Sequence, residues 1–194
     1  MTRRSRDLLV ATDPDWVYTV LADFGGFIQD HANCERKASA LAMSLVVKHP
    51  DRSLIIPTLI ELAQEELEHF RQVYEIMIAR GLPLVNDIQD PYVNRLLSCM
   101  RHGREERFLD RMLTASLIEC RGAERFGIIA KALENPELKV FYEILWKAET
   151  KHGHQFVDMV LRYFDEDTVY TRLHGLAERE AEIIQDLEWR ASLH

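Results

Sequence analysis

Apolar residues recur every three or four positions through most of the chain, which is the period of amphipathic helices and not of strands. One stripe runs through Leu59, Leu62, Ala63, Phe70 and Val73, and another through Tyr142, Leu145, Trp146, Gly153 and Phe156. A third joins Ile28, Ala38, Leu41, Ala42 and Leu45; a last one joins Leu173, Leu176, Ala177, Ile183, Ile184, Leu187 and Trp189. Turn formers divide the pattern into elements. Thr12-Asp13-Pro14 predicts a capped start, then a short helix to about Asp23, and Gly25-Gly26 predicts a break or kink. Four long helices follow, over about Phe27–Lys48, from a Ser53 cap through Pro57 to Arg80, over about Arg104–Glu134, and from Pro136 to about Phe164. Each is roughly 30–40 Å long at 1.5 Å per residue, a length suited to a bundle. Residues 82–91 predict a loop crossing between two hairpins, followed by a short helix over Tyr92–His102 and, after Asp165–Thr168, a last one over Val169–Arg190.

Two of the apolar stripes carry polar residues where a core is expected. Glu66 and His69 form an E-x-x-H, and Glu149 and His152 form a second. Residues three apart share a helix face, so each pair points along its stripe. A carboxylate and an imidazole aimed at a core are costly unless something binds them. Each motif has a lone glutamate upstream: Glu35 lies 31 positions before Glu66, and Glu119 lies 30 before Glu149. Glu35 alone reads as a partner of Arg36, Lys37 or solvent; the repeat makes it a ligand candidate. Two helical hairpins, each giving a Glu and then a Glu-x-x-His, are the ligand set of a carboxylate-bridged two-metal site in a four-helix bundle. His31, one turn before Glu35, reads as a supporting or satisfied histidine, and His154 as surface or support. Cys34 reads as a small buried residue.

The 194 residues, 47% of them hydrophobic, suffice for one domain with its own core, over 1–194. Three cysteines without paired spacing favour a reducing compartment. No apolar run approaches the ~18 residues of a membrane span, and no long apolar segment follows the basic N-terminus. The expectation is a cytoplasmic protein without a membrane partner, as a monomer or small oligomer.

Four carboxylates in one core repel each other, and two divalent metals cancel that charge. Oxygen donors with one histidine per metal suit iron or manganese better than zinc. A reduced centre of this kind can pass two electrons to O2 and open a route to C–H bond attack. Related sites store iron or consume peroxide, and the ligand set alone does not choose.

The net charge of −8 is unevenly spread. Residues 165–194 carry −5, and setting aside the four candidate glutamates leaves the rest of 1–164 at +1. Arg101, Arg104, Arg107, Arg111, Arg121 and Arg125 recur at helical spacings. They read either as a solvated face paired with Glu105, Glu106 and Asp110 or as a phosphate-binding surface. Around Glu119, Ala115, Ser116, Gly122 and Ala123 permit close helix packing or leave room beside the metals.

Four stretches taken together, residues 30–39, 63–73, 117–126 and 148–156, resemble the MiaE family of tRNA 2-methylthio-N6-isopentenyladenosine hydroxylases. The surroundings of Glu35 and Glu119 carry the closer match, and the resemblance covers nearly the whole chain. It implies an all-α, ferritin-like four-helix bundle with extra short N-terminal, crossover and C-terminal helices. It implies a non-haem di-iron monooxygenase that hydroxylates the isopentenyl group of the modified adenosine beside the anticodon of tRNA. Two iron ions would be held by Glu35, Glu66, His69, Glu119, Glu149 and His152, with Glu66 and Glu149 bridging and Glu35 and Glu119 terminal. O2 would be the co-substrate, and an external donor such as a ferredoxin-type reductase system would supply electrons. The small residues around Glu119 would admit the isoprenoid tail, and the arginines would meet tRNA phosphates. The rival readings are a ferritin-like iron-storage protein, a di-metal peroxidase or catalase, and a bundle that only binds partners.

Overall fold

In the computed structural model residues 6–194 are described; the basic N-terminus, 1–5, lies outside the described residues. Among the described residues there are seven α-helices and no strand. They are α1 (Trp16–Ala22), α2 (Phe24–Lys48), α3 (Ile56–Ala79), α4 (Pro91–Leu97), α5 (Arg104–Ala132), α6 (Pro136–Val160) and α7 (Glu166–Gln185). The chain divides into two compact units. One comprises the described residues to Val17, Gln89–Trp189 and His194; the other comprises Tyr18–Ile88 and Arg190–Leu193.

The second unit is built on the α2–α3 hairpin. Asp23 caps α2 by accepting from the Gly26 amide, so the glycine pair lies inside the first turn and the break falls just before it. The hairpin is pinned where the Ser39 hydroxyl donates to the Ala63 carbonyl at 2.8 Å. The end of α3 follows from Gly81, whose φ of 67° suits a residue without Cβ. Its amide bonds the Ile78 carbonyl and that of Leu82 bonds Met77, closing the helix with a Schellman pair. The loop that follows runs back along α2. Gln29 and Asn33 donate to the carbonyls of Pro83 and Val85, and Lys37 pairs with Asp87 at 2.7 Å. Phe27, Ile28, Leu45, Leu59, Leu62 and Val73 are buried.

The first unit is built on α5 and α6, with α7 against α4 and α5. Asp90, Asn135 and Asp165 cap α4, α6 and α7 through their side chains. The Ser116 hydroxyl donates to the Gly153 carbonyl at 2.7 Å, and a Cβ on Gly153 would stand 2.7 Å from Cys120 Sγ. Glycine here is what lets the two long helices approach. At Ser116, therefore, the small residues of α5 serve close packing. Leu113, Leu117, Phe126, Tyr142, Leu145, Phe156 and Leu176 are buried.

Several sequence expectations are corrected at helix ends. The capping side chain expected in Thr12-Asp13-Pro14 is that of Asp13, which accepts from the Asp15 amide at 2.9 Å; the Thr12 hydroxyl donates to Glu124, and α1 begins at Trp16. Ser53 does not cap α3, whose N-cap is Ile55 without a side-chain bond. The helix after the loop stops at Leu97, short of His102. The helix carrying Glu149 stops at Val160, and α7 stops at Gln185, leaving Leu187 and the exposed Trp189 beyond it. Asp165–Thr168, read as a separator, is the cap and first turn of α7. Cys34 is half-buried, not buried, and Trp146 is exposed, not inward.

Candidate metal centre

In the unit of α2 and α3, Glu35, Glu66 and His69 are all buried, on the faces their spacing predicts. His69 Nδ1 stands 3.3 Å from Glu66 Oε2 and 3.6 Å from Glu35 Oε2, so one imidazole nitrogen addresses both carboxylates. The other oxygen of Glu35 is engaged from behind: Oε1 lies 2.6 Å from Nε2 of His31, which is fully buried. His31 therefore supports and orients Glu35, the role its position suggested. The three donors come from two helices whose relative register is held by Ser39.

The unit of α5 and α6 repeats the motif. Glu149 and His152 are buried, with His152 Nδ1 at 2.9 Å from Glu149 Oε2. In both E-x-x-H pairs the histidine thus presents Nδ1, not Nε2, to its carboxylate. Glu119, the fourth glutamate, lies on α5 and is only half-buried. Acidic and imidazole groups buried together in each unit are the chemistry of a cation site: the carboxylates supply charge and the histidines a neutral nitrogen. His154, two positions after His152, is exposed, and its carbonyl accepts from Arg6.

The six candidate phosphate-binding arginines separate into two groups. Arg104 and Arg107 are exposed and Arg111 is half-buried. Burial lowers the Arg111 pKa, and so does the neighbouring charge of Arg107, one helical turn away. Arg101 is exposed and binds the buried Asp110 through Nη2 and its amide, each at 2.8 Å; Arg172 clamps the same carboxylate. Burial pushes the Asp110 carboxyl up, but the bonds from Arg172 and Arg101 prevail and hold it at about 2.

Arg121 and Arg125 do not belong to that face, which corrects the sequence reading. Arg121 is fully buried and bonds Glu180, Glu124, Thr12 and the Val10 carbonyl. Arg125 is buried with its guanidinium 4.4 Å from the centroid of Trp16. Burial and the adjacent Arg121 charge bring the Arg125 pKa down to about 10. The buried group of Arg121, Glu180, Tyr92 and Thr12 was not anticipated. Its one local signal is Glu124, three positions after Arg121 on the same helix.

A model of the family described as "tRNA-(MS[2]IO[6]A)-hydroxylase (MiaE)" matches residues 1–194. A tRNA 2-(methylsulfanyl)-N(6)-isopentenyladenosine(37) hydroxylase from Pseudomonas putida is 32% identical over 182 residues, 93% of this chain and 88% of its own length. A hydroxylase of the same name from Salmonella typhimurium is 31% identical over 138 residues, 70% of this chain and 50% of that relative. Among solved structures, a Synechococcus protein with aldehyde deformylating oxygenase activity superposes with a TM-score of 0.91 at 30% identity. That match covers 96% of this chain and 94% of the other. The fold class is the all-α, ferritin-like one expected from the sequence.

Proposed function

The chain belongs to the MiaE family, and on that premise we propose that it hydroxylates the isopentenyl group of 2-methylthio-N6-isopentenyladenosine beside the anticodon of tRNA. The observation that carries this reading is the family match over residues 1–194, in a chain with a buried Glu-x-x-His on α3 and another on α6. No helix among the described residues is long and apolar enough to cross a membrane. The reading places the enzyme in the cytoplasm, where its tRNA is.

Glu35, Glu66, His69, Glu119, Glu149 and His152 are assigned as ligands of two iron ions in one domain spanning 1–194. Glu66 and His69 in one unit, and Glu149 and His152 in the other, are buried donors of the types that hold a metal ion. The donor set fits: four carboxylates balance two divalent ions, and one histidine for each leaves positions open. When bound, the irons supply the electrons that activate O2, and an external donor restores them. The protein's share is positional. His31 holds one oxygen of Glu35 and leaves the other facing His69. Burial of Glu35, Glu66, Glu149 and both ligand histidines keeps water from the donors and lowers the local dielectric. The family match favours the hydroxylase over the storage and peroxide readings.

The test is nucleoside mass spectrometry of hypomodified tRNA after incubation with iron-loaded protein, O2 and a chemical reductant. The expected result is a gain of one oxygen on the isopentenyl adenosine, absent with Glu66→Ala. No gain with two irons bound would overturn the assigned reaction.

A further inference from the structure

The first unit carries a groove unrelated to the ligand set. It has a volume of about 460 Å³, runs along α5 and α6, and is bordered by the segment that begins at Arg6. Trp146 forms part of its wall and remains 40% exposed. Its placement is built, not incidental. A Cβ on Gly127 would stand 3.2 Å from Cδ2, 3.3 Å from Cε2 and 3.6 Å from Cγ of Trp146. Near-equal distances to three ring atoms mean that the face of the indole, not its edge, lies on the bare Gly127 backbone. The ring is thereby held flat at the groove while much of its surface stays open. Lys131 Nζ lies over the ring, 5.9 Å from its centroid, and His154 and Arg6, the latter paired with Asp158 at 2.6 Å, border the same groove. Two acids line the groove, Asp7 and Glu124, and either would repel an anion; the charge of Glu124 is engaged. Oε1 accepts from the Thr12 amide, and Oε2 accepts from the Thr12 hydroxyl and from Arg121.

A flat, immobilised aromatic surface with a cation close to the ring matches a nucleotide: a π face for the base and an ammonium for its phosphate. A volume of this order accommodates one nucleotide. We infer that Trp146 is a stacking platform for an unpaired tRNA base, with Lys131 pairing to that nucleotide's phosphate. The inference rests on the tRNA reading above and adds to it a binding site separate from the metal ligands. Loop nucleotides of tRNA can splay out onto such a surface, whereas paired ones cannot.

The experiment titrates iron-loaded full-length protein into fluorescein-labelled hypomodified tRNA and reads anisotropy. Trp146→Ala is expected to weaken binding roughly 5- to 150-fold, the range for loss of one stacked base. Trp146→Phe should retain most of the affinity, and iron content should be unchanged in both. Lys131→Ala should weaken binding and reduce the salt slope by about one. Should Trp146→Ala fail to fold by circular dichroism, Trp146→Leu keeps apolar contact with Gly127, removes the π face and carries the same expectation. A Kd within twofold of the wild type for the folded variant overturns the platform and leaves the tRNA reading intact. Absence of tRNA binding by the wild type overturns both.

Discussion

Arg121 Nη2 lies 2.8 Å from Glu180 Oε1, and both side chains are fully out of solvent. The Tyr92 hydroxyl donates to the same oxygen at 3.0 Å. The pair ties α5 to α7, and Tyr92 brings in α4. Burial lowers the Arg121 pKa, but Glu180 and its other neighbours outweigh this and leave the guanidinium charged. Removing Glu180 leaves the buried guanidinium with only the partly exposed Glu124 to balance its charge. Glu180→Ala is therefore expected to cost about 3–5 kcal/mol of unfolding free energy in urea titrations. The double replacement Arg121→Met, Glu180→Met should recover much of that loss. A loss below about 1 kcal/mol for the single variant would show that the pair does not hold these helices.

Metal stoichiometry tests the ligand assignment. His69→Ala and His152→Ala each remove the nitrogen donor of one E-x-x-H, and each is expected to lower bound iron from two per chain to one or fewer, read by elemental analysis. A milder drop is expected for His31→Ala, which frees Glu35 to turn but removes no donor; second-sphere partners typically contribute about 10- to 100-fold in affinity. Two irons retained in both histidine-ligand variants would defeat the assignment.

Acid should loosen the first unit through Asp110. Its folded pKa is held at about 2, below the ordinary carboxylate value, by Arg172 and Arg101 against the opposing effect of burial. A depressed carboxylate stabilises the fold above its unfolded pKa, and that contribution fades as pH falls through about 4 toward 2. The two arginines are partly exposed, so solvent screening reduces the effect to about 1–2 kcal/mol. Asp110→Asn should flatten stability between pH 4 and 2 in denaturant titrations. An unchanged acid limb would place the dependence elsewhere.

Salt separates the two groups of arginines. Replacing Arg104 or Arg107, both exposed at the start of α5, is expected to weaken tRNA binding and reduce its salt slope by about one per phosphate contact. Replacing Arg121, buried and fully paired, should lower stability while leaving the affinity of the folded fraction alone. Unchanged affinity in Arg101→Ala, Arg104→Ala and Arg107→Ala would remove this face from the tRNA contact.

Helices, their stripes and the inward direction of Glu35, Glu66, His69, Glu149 and His152 were determined by sequence alone. A three- or four-residue spacing converts directly into a shared helix face, so direction is local information. The support of Glu35 by His31 was legible for the same reason, being one turn away. Tertiary structure decided where the arginines went. Arg121 and Arg125 share a spacing with Arg104 and Arg107, yet the partner of Arg121 is Glu180, 59 positions away, and Arg125 sits over Trp16. Thr12, beside the capping Asp13, donates its hydroxyl to Glu124, 112 positions on. Trp146, placed by its period on the inward stripe, turned onto Gly127 because only a residue without Cβ leaves room for the ring face. In each case the deciding energy is a contact between residues distant in sequence, and helical period carries no record of it.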